Sequence, residues 1–167
     1  RDAIDTSLLF RGRPINLVDT AGLRRPSRRT GESLEYYSSV RTMNALRRSD
    51  VALVMVDASE GLVDLDLQVA YEVQRAGCAT AMLFNKWDVA DMDLEKAIER
   101  VATKVQMRPP CLTISCLTGK NLARVLPLVM DLYERYSMRI PTPALNQWLR
   151  ALRSRTAFPQ RSGKSLK

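Results

Sequence analysis

A chain of 167 residues with 46% apolar and 26% charged side chains has enough apolar mass for one ordinary core plus a small addition, which disfavours wholesale disorder and a disulfide scaffold. It holds no histidine, so catalytic triads, imidazole acid–base chemistry and ordinary His/Cys zinc sites are excluded. The net charge of +8 is uneven: residues 139–167 carry seven basic and no acidic side chains, a tail that reads equally as a handle for RNA phosphates and as a solvated basic surface.

The first predicted elements are strands at 7–11 and 14–18, joined through Gly12 as a hairpin that would add one antiparallel edge to a sheet. A helix over 32–48 follows, ending on Arg47 and Arg48, which suit its negative end. A strand at 51–56 leads into a helix over 65–76, with Gly77 where a C-terminal cap belongs. Strand 79–84, helix 94–105, strand 111–114 and helix 121–136 complete an alternation that signals an α/β fold with a mostly parallel sheet. Pro141 and Pro143 mark a boundary, giving domains at 1–138 and 139–167, and 144–154 reads as one more helix. On that helix Trp148, Leu145, Leu149 and Leu152 form a face suited to packing. The longest apolar stretches, such as 51–56, are far too short to span a bilayer. Cys78, Cys111 and Cys116 lack metal-ligand spacing and read as reduced thiols filling the core of a cytoplasmic protein.

Three segments stand at the carboxyl ends of predicted strands, where an open α/β sheet binds ligands. Asp19-Thr20-Ala21-Gly22 follows strand 14–18. An aspartate there can hold a hydrated Mg²⁺, and Gly22 lets a backbone N–H approach a terminal phosphate. Asn85-Lys86-Trp87-Asp88 follows strand 79–84. Guanine presents an N1–H beside a 2-amino group, a donor pair that adenine lacks, and Asp88 can accept both. A buried carboxylate left unpaired by the wrong base would reject it strongly. Asn85 can tie the loop and reach the base's N7 edge, while the Lys86 stem lies over the purine. Ser115-Cys116-Leu117-Thr118-Gly119-Lys120-Asn121 follows strand 111–114, where Ser115 can orient Asp88 and the Cys116 N–H can reach the guanine carbonyl oxygen. Taken singly, each reads as a turn or a capped helix start; three in this order behind three strands make coincidence a poor explanation.

With these residues in place the chain resembles the translation-factor-like GTPases, and within them the second GTP-binding domain of the bacterial double-domain family Der (EngA). Besides the three segments, the resemblance rests on Arg1-Asp2-Ala3-Ile4-Asp5-Thr6, Leu23-Arg24-Arg25, Ser39-Val40-Arg41-Thr42, Arg48-Ser49-Asp50-Val51 and Asp57-Ala58-Ser59-Glu60-Gly61. It implies a Ras-like three-layer α/β sandwich over 1–138, followed by the opening of a KH-like α+β domain over 139–167. It also implies GTP hydrolysis to GDP and phosphate with Asp19 and Gly22 at the reacting end, GTP, GDP and Mg²⁺ as ligands, ribosomal RNA and the large ribosomal subunit as partners, no membrane partner and a monomeric state.

Against the family pattern, the glycine-rich phosphate loop, its helix and a Gly-Thr-Thr stretch stand before the Arg-Asp pair at which this chain begins. The resemblance therefore implies a piece truncated at both ends, without its first strand, phosphate loop and first helix, and inactive alone. Ser162-Gly163-Lys164-Ser165 does not replace the loop, since Phe158 stands where its first glycine belongs. The tail has no G-x-x-G, so RNA contact by the usual KH loop has no support. Leu23 occupies the place of the Ras-type catalytic glutamine and cannot orient water; relatives of this kind use backbone groups and often K⁺. An Era-like GTPase and a non-catalytic RNA-binding or interaction module remain the alternatives.

Overall fold

The computed structural model of the chain describes residues 5–18, 44–105 and 108–155. Strands β1 (Asp5–Phe10) and β2 (Arg13–Val18) pair antiparallel, from Asp5 opposite Val18 to Phe10 opposite Arg13. Arg11 and Gly12 between them both have positive φ, 50° and 75°, which is what a two-residue type I′ turn requires. Arg11 thus belongs to the turn and not to the strand predicted through it.

The second sheet is built from β3 (Val51–Asp57), β4 (Ala79–Asn85) and β5 (Cys111–Thr113) in that spatial order. All its pairs are parallel, β3 on β4 from Val51–Ala79 to Asp57–Asn85 and β4 on β5 from Met82–Cys111 to Phe84–Thr113. The crossovers are α1 (Asp64–Arg75) and α2 (Leu94–Val105), as parallel neighbours demand. The hairpin expected as an edge of this sheet instead forms a sheet of its own. A Ras-like sheet has a further strand between those two positions, and no described strand of this chain takes that place, so β2 and β3 share no ladder.

Period-2 alternation decides the core. Val54 and Val56 of β3 and Met82 and Phe84 of β4 point to one face, where Leu67, Ala70 and Val73 of α1 and Ala97, Val101 and Val105 of α2 cover them. On the opposite face Leu83, Leu112 and Ile114 pack beneath Val125 and Leu128 of α3 (Val125–Ser137). Helix α3 reaches only that far, and Leu53 and Met55 on the same face of β3 stay exposed.

Helix ends follow local chemistry. The Val63 N–H donates to the Asp66 carboxylate at 3.0 Å and closes the start of α1. Gly77, with φ 84°, ends the helix in the left-handed conformation. The Asp93 carboxylate accepts the N–H groups of Glu95 and Lys96 at 3.1 and 3.2 Å, capping α2. Helix α3 starts later than predicted because Asn121 is left-handed, with φ 59°, and a 3₁₀ turn over Leu122–Arg124 intervenes. Of the helix expected over 32–48, residues 44–47 are described and helical.

The chain divides into two compact units, 1–136 and 137–167. In the second, α4 (Thr142–Arg155) begins before the predicted start, because a proline in the first helical turn needs no N–H partner and Pro143 is accommodated there. The apolar face expected to pack is open among the described residues: Trp148, Leu145 and Leu149 are exposed.

Candidate functional site

The loops following β4 and β5 lie side by side because the strands that deliver them are parallel neighbours. Asn85 ends β4, and its Oδ1 accepts the Cys116 N–H at 3.0 Å. The Trp87 N–H donates to the Ile114 carbonyl at 3.1 Å, and the Asn85 carbonyl accepts the Ala58 N–H at 2.9 Å. Three chain segments are thus bonded around one point at the sheet's carboxyl end.

The second loop holds its own shape. Ser115 is fully buried. Its Oγ accepts the Thr118 N–H at 3.1 Å, and its carbonyl accepts the Gly119 N–H at 2.9 Å. Gly119 has φ 80°, a conformation that disfavours any side chain. The Asn121 amide donates to the Thr113 carbonyl at 2.9 Å and anchors the far end of the loop to β5. The Ser115 hydroxyl oxygen accepts from Thr118 and keeps its own hydrogen for a further acceptor, and among the described residues it makes no bond to Asp88. The Cys116 N–H, expected at the guanine carbonyl oxygen, donates to Asn85 Oδ1.

Asp88 is exposed and makes no hydrogen bond or ion pair among the described residues. Its carboxylate therefore retains full capacity for incoming donors. Lys86 adopts φ 60° and its Nζ pairs with Asp57 Oδ2 at 2.5 Å. The other oxygen of Asp57 accepts the Ser59 N–H at 3.1 Å and the Ser59 hydroxyl at 2.6 Å. These contacts, the Lys86 bond first, hold the Asp57 carboxyl below its ordinary value, and the same bond raises Lys86. The thiols divide by place: Cys78 is buried, whereas Cys116, expected as a core filler, is exposed on its loop.

Asp19, Thr20, Ala21 and Gly22 lie outside the described residues, as do Leu23 and Arg24 through Arg29. The sequence pattern gives Asp57 no role and presents Asn121 only as the end of the third segment and the start of the helix predicted over 121–136. Asp57 carried the signal that singled out Asp19, an acid at the carboxyl end of a buried strand.

Residues 3–135 match the family described as the elongation factor Tu GTP binding domain. The chain belongs to this family of GTP-binding domains. Among curated relatives, GTPase Der of Desulforapulum autotrophicum is 37% identical over 172 positions, spanning 100% of this chain and 35% of that protein. GTPase Der of Thermomicrobium roseum is 41% identical over 174 positions, spanning 100% of this chain and 38% of that protein. This member of the GTP-binding family thus spans a little over a third of the length of the relatives it matches. Its α/β fold is that of Ras-like GTPases. A GTP-binding protein from Sulfolobus solfataricus in complex with GDP superimposes with a TM-score of 0.62 at 23% identity, covering 81% of this chain and 45% of that one. A variant of Era from Aquifex aeolicus bound to GDP and aluminium fluoride gives 0.62 at 20% identity, covering 78% and 45%. Among the described residues no helix is long and apolar enough to cross a membrane.

Proposed function

We propose that this chain is the guanine-recognising part of a Der-type GTPase, which hydrolyses GTP to GDP and phosphate and acts in assembling the large ribosomal subunit. The observation that carries the reading is the unpartnered Asp88 carboxylate beside a loop pair tied through Asn85 and Cys116. A free carboxylate at the carboxyl end of β4 accepts the N1–H and 2-amino group of guanine together. Adenine offers no such pair, so once a bound base covers the exposed Asp88 carboxylate from water, guanine satisfies it and adenine leaves it unmet.

The donor set fits a purine on its other sides too. The Lys86 stem is half exposed and supplies an apolar strip for the ring face. At the reacting end, Asp19 would hold Mg²⁺ through a water, and the Gly22 N–H would meet the terminal phosphate. Bound Mg²⁺ neutralises charge on the phosphate oxygens, and K⁺ would supply positive charge where an arginine finger is lacking. The protein is cytoplasmic and monomeric in this reading. The unit at 137–167 opens a KH-like domain whose acid-free surface meets ribosomal RNA.

Asp88→Asn tests the reading. The amide donates where the carboxylate accepted, so binding shifts from GDP toward xanthosine diphosphate, which presents a carbonyl at position 2 of the base. Unchanged relative affinities for the two nucleotides in a titration remove Asp88 from the site and the reading with it.

A further inference from the structure

Asp57 has no place in a scheme in which each loop residue meets the base directly, yet both of its carboxylate oxygens are held by neighbours at this end of the sheet. Its backbone is the last rung of the β3–β4 ladder, opposite Asn85. One carboxylate oxygen is fixed by the N–H and hydroxyl of Ser59. The turn carrying Ser59 is itself closed by the Glu60 N–H on the Asp57 carbonyl at 3.2 Å and the Gly61 N–H on the Ala58 carbonyl at 3.3 Å. The remaining oxygen meets the Lys86 ammonium. An anchored acid therefore pins the tip of a long side chain whose own backbone is forced into a left-handed turn. Pinning the tip fixes the stem, and the stem is the part that would lie along the purine.

We infer that Asp57 is a positioning residue for guanine binding: it touches no part of the nucleotide and acts by holding the Lys86 stem in the orientation that covers the base. The inference rests on the guanine reading of the site. The opposing possibility is a plain surface ion pair, which contributes little and has no bearing on ligands. The two differ in what they predict for Lys86. Releasing the ammonium returns rotamer freedom to a four-carbon stem, and ordering that stem again on binding weakens the affinity by about five- to tenfold. The base edge is read by Asp88 and is untouched by the change.

The test is a double-mutant cycle on the protein with Asp57→Asn, Lys86→Ala and their combination, titrated with GDP and with xanthosine diphosphate, and with Asp57→Glu as the conservative rescue. Asp57→Asn is expected to weaken GDP by about five- to tenfold with the preference over xanthosine diphosphate unaltered. In the Lys86→Ala background the same substitution should add less than about twofold, and Asp57→Glu should restore part of the loss. Without nucleotide, a resolved ¹⁵N resonance for the Lys86 ammonium should be lost in Asp57→Asn. Additive losses, or a Lys86 resonance indifferent to Asp57, overturn the inference while the guanine reading stands. A wild-type protein with no preference for GDP over xanthosine diphosphate overturns the guanine reading, and this inference falls with it.

Discussion

Replacing Asn121 separates two contributions that a single alanine variant would merge. The residue combines a left-handed backbone, with φ 59°, and a side-chain bond to the Thr113 carbonyl at 2.9 Å. Asparagine tolerates that backbone region, whereas alanine there costs about 1 kcal/mol more. Loss of the partly buried hydrogen bond adds about 1 kcal/mol in either variant. Glycine accepts the backbone but loses more freedom on folding, about 0.5 kcal/mol. The sums are about 2 kcal/mol for Asn121→Ala and about 1.5 kcal/mol for Asn121→Gly. Urea unfolding followed by far-UV circular dichroism should rank wild type above glycine and glycine above alanine. The anchor also holds the 115–120 loop, so GDP affinity should fall in the same order. An alanine variant as stable as wild type, or less harmful than glycine, refutes the account of how this loop is fixed.

Two further outcomes are expected. The Asp93 carboxyl is held below its ordinary value of 3.8, first by the Lys96 N–H and then by the Lys96 side chain. A depressed folded value means that its contribution is present above that pH and is lost as pH falls through the lower folded value, so the acid-side decline of the thermal midpoint should be shallower in Asp93→Asn than in wild type. Burial pushes the Cys111 thiol up to about 11, and Cys78 is raised for the same leading reason. Alkylation of the native protein at pH 8 should therefore label exposed Cys116 well before the other two, as peptide mass spectrometry would show; equal labelling would contradict the burial described.

The parts of the fold legible in the sequence are those where one rule acts alone. Helix α2 spans the predicted residues because its apolar period runs unbroken and Asp93 stands at its start. Strands β3 and β4 are each one residue longer than read, since Asp57 and Asn85 are polar yet complete the ladder. Where rules compete, residue patterns alone do not choose between them. Asn121 suits both a helix cap and a left-handed turn; in the fold it is left-handed, caps no helix with its side chain, and spends its amide on the Thr113 carbonyl. The separate hairpin depends on which strands are available to pair, a non-local condition that residue patterns do not encode. At the site, chemistry placed at strand ends marked Asn85, Lys86, Asp88 and Ser115 as candidates. Which donor meets which acceptor was not legible, because Ser115 and Cys116 each had several partners within reach and only the folded loop chooses.

The position of β4 bears on how the molecule opens. Its neighbours lie directly before and after it along the chain, and residues 80–84 are buried without interruption. Both ladders close over one helical crossover each, the short connection that a parallel pair allows. Amide hydrogens from Ala81 to Phe84 are shielded on both faces and both edges by these contacts. Their exchange with solvent should require loss of the whole 51–114 segment, while those of the hairpin exchange through small local openings. The Asn85–Asp88 loop is thus carried by the most protected of the described strands and its partner loop by the strand beside it, and nucleotide-loop motion can proceed without loosening the sheet beneath.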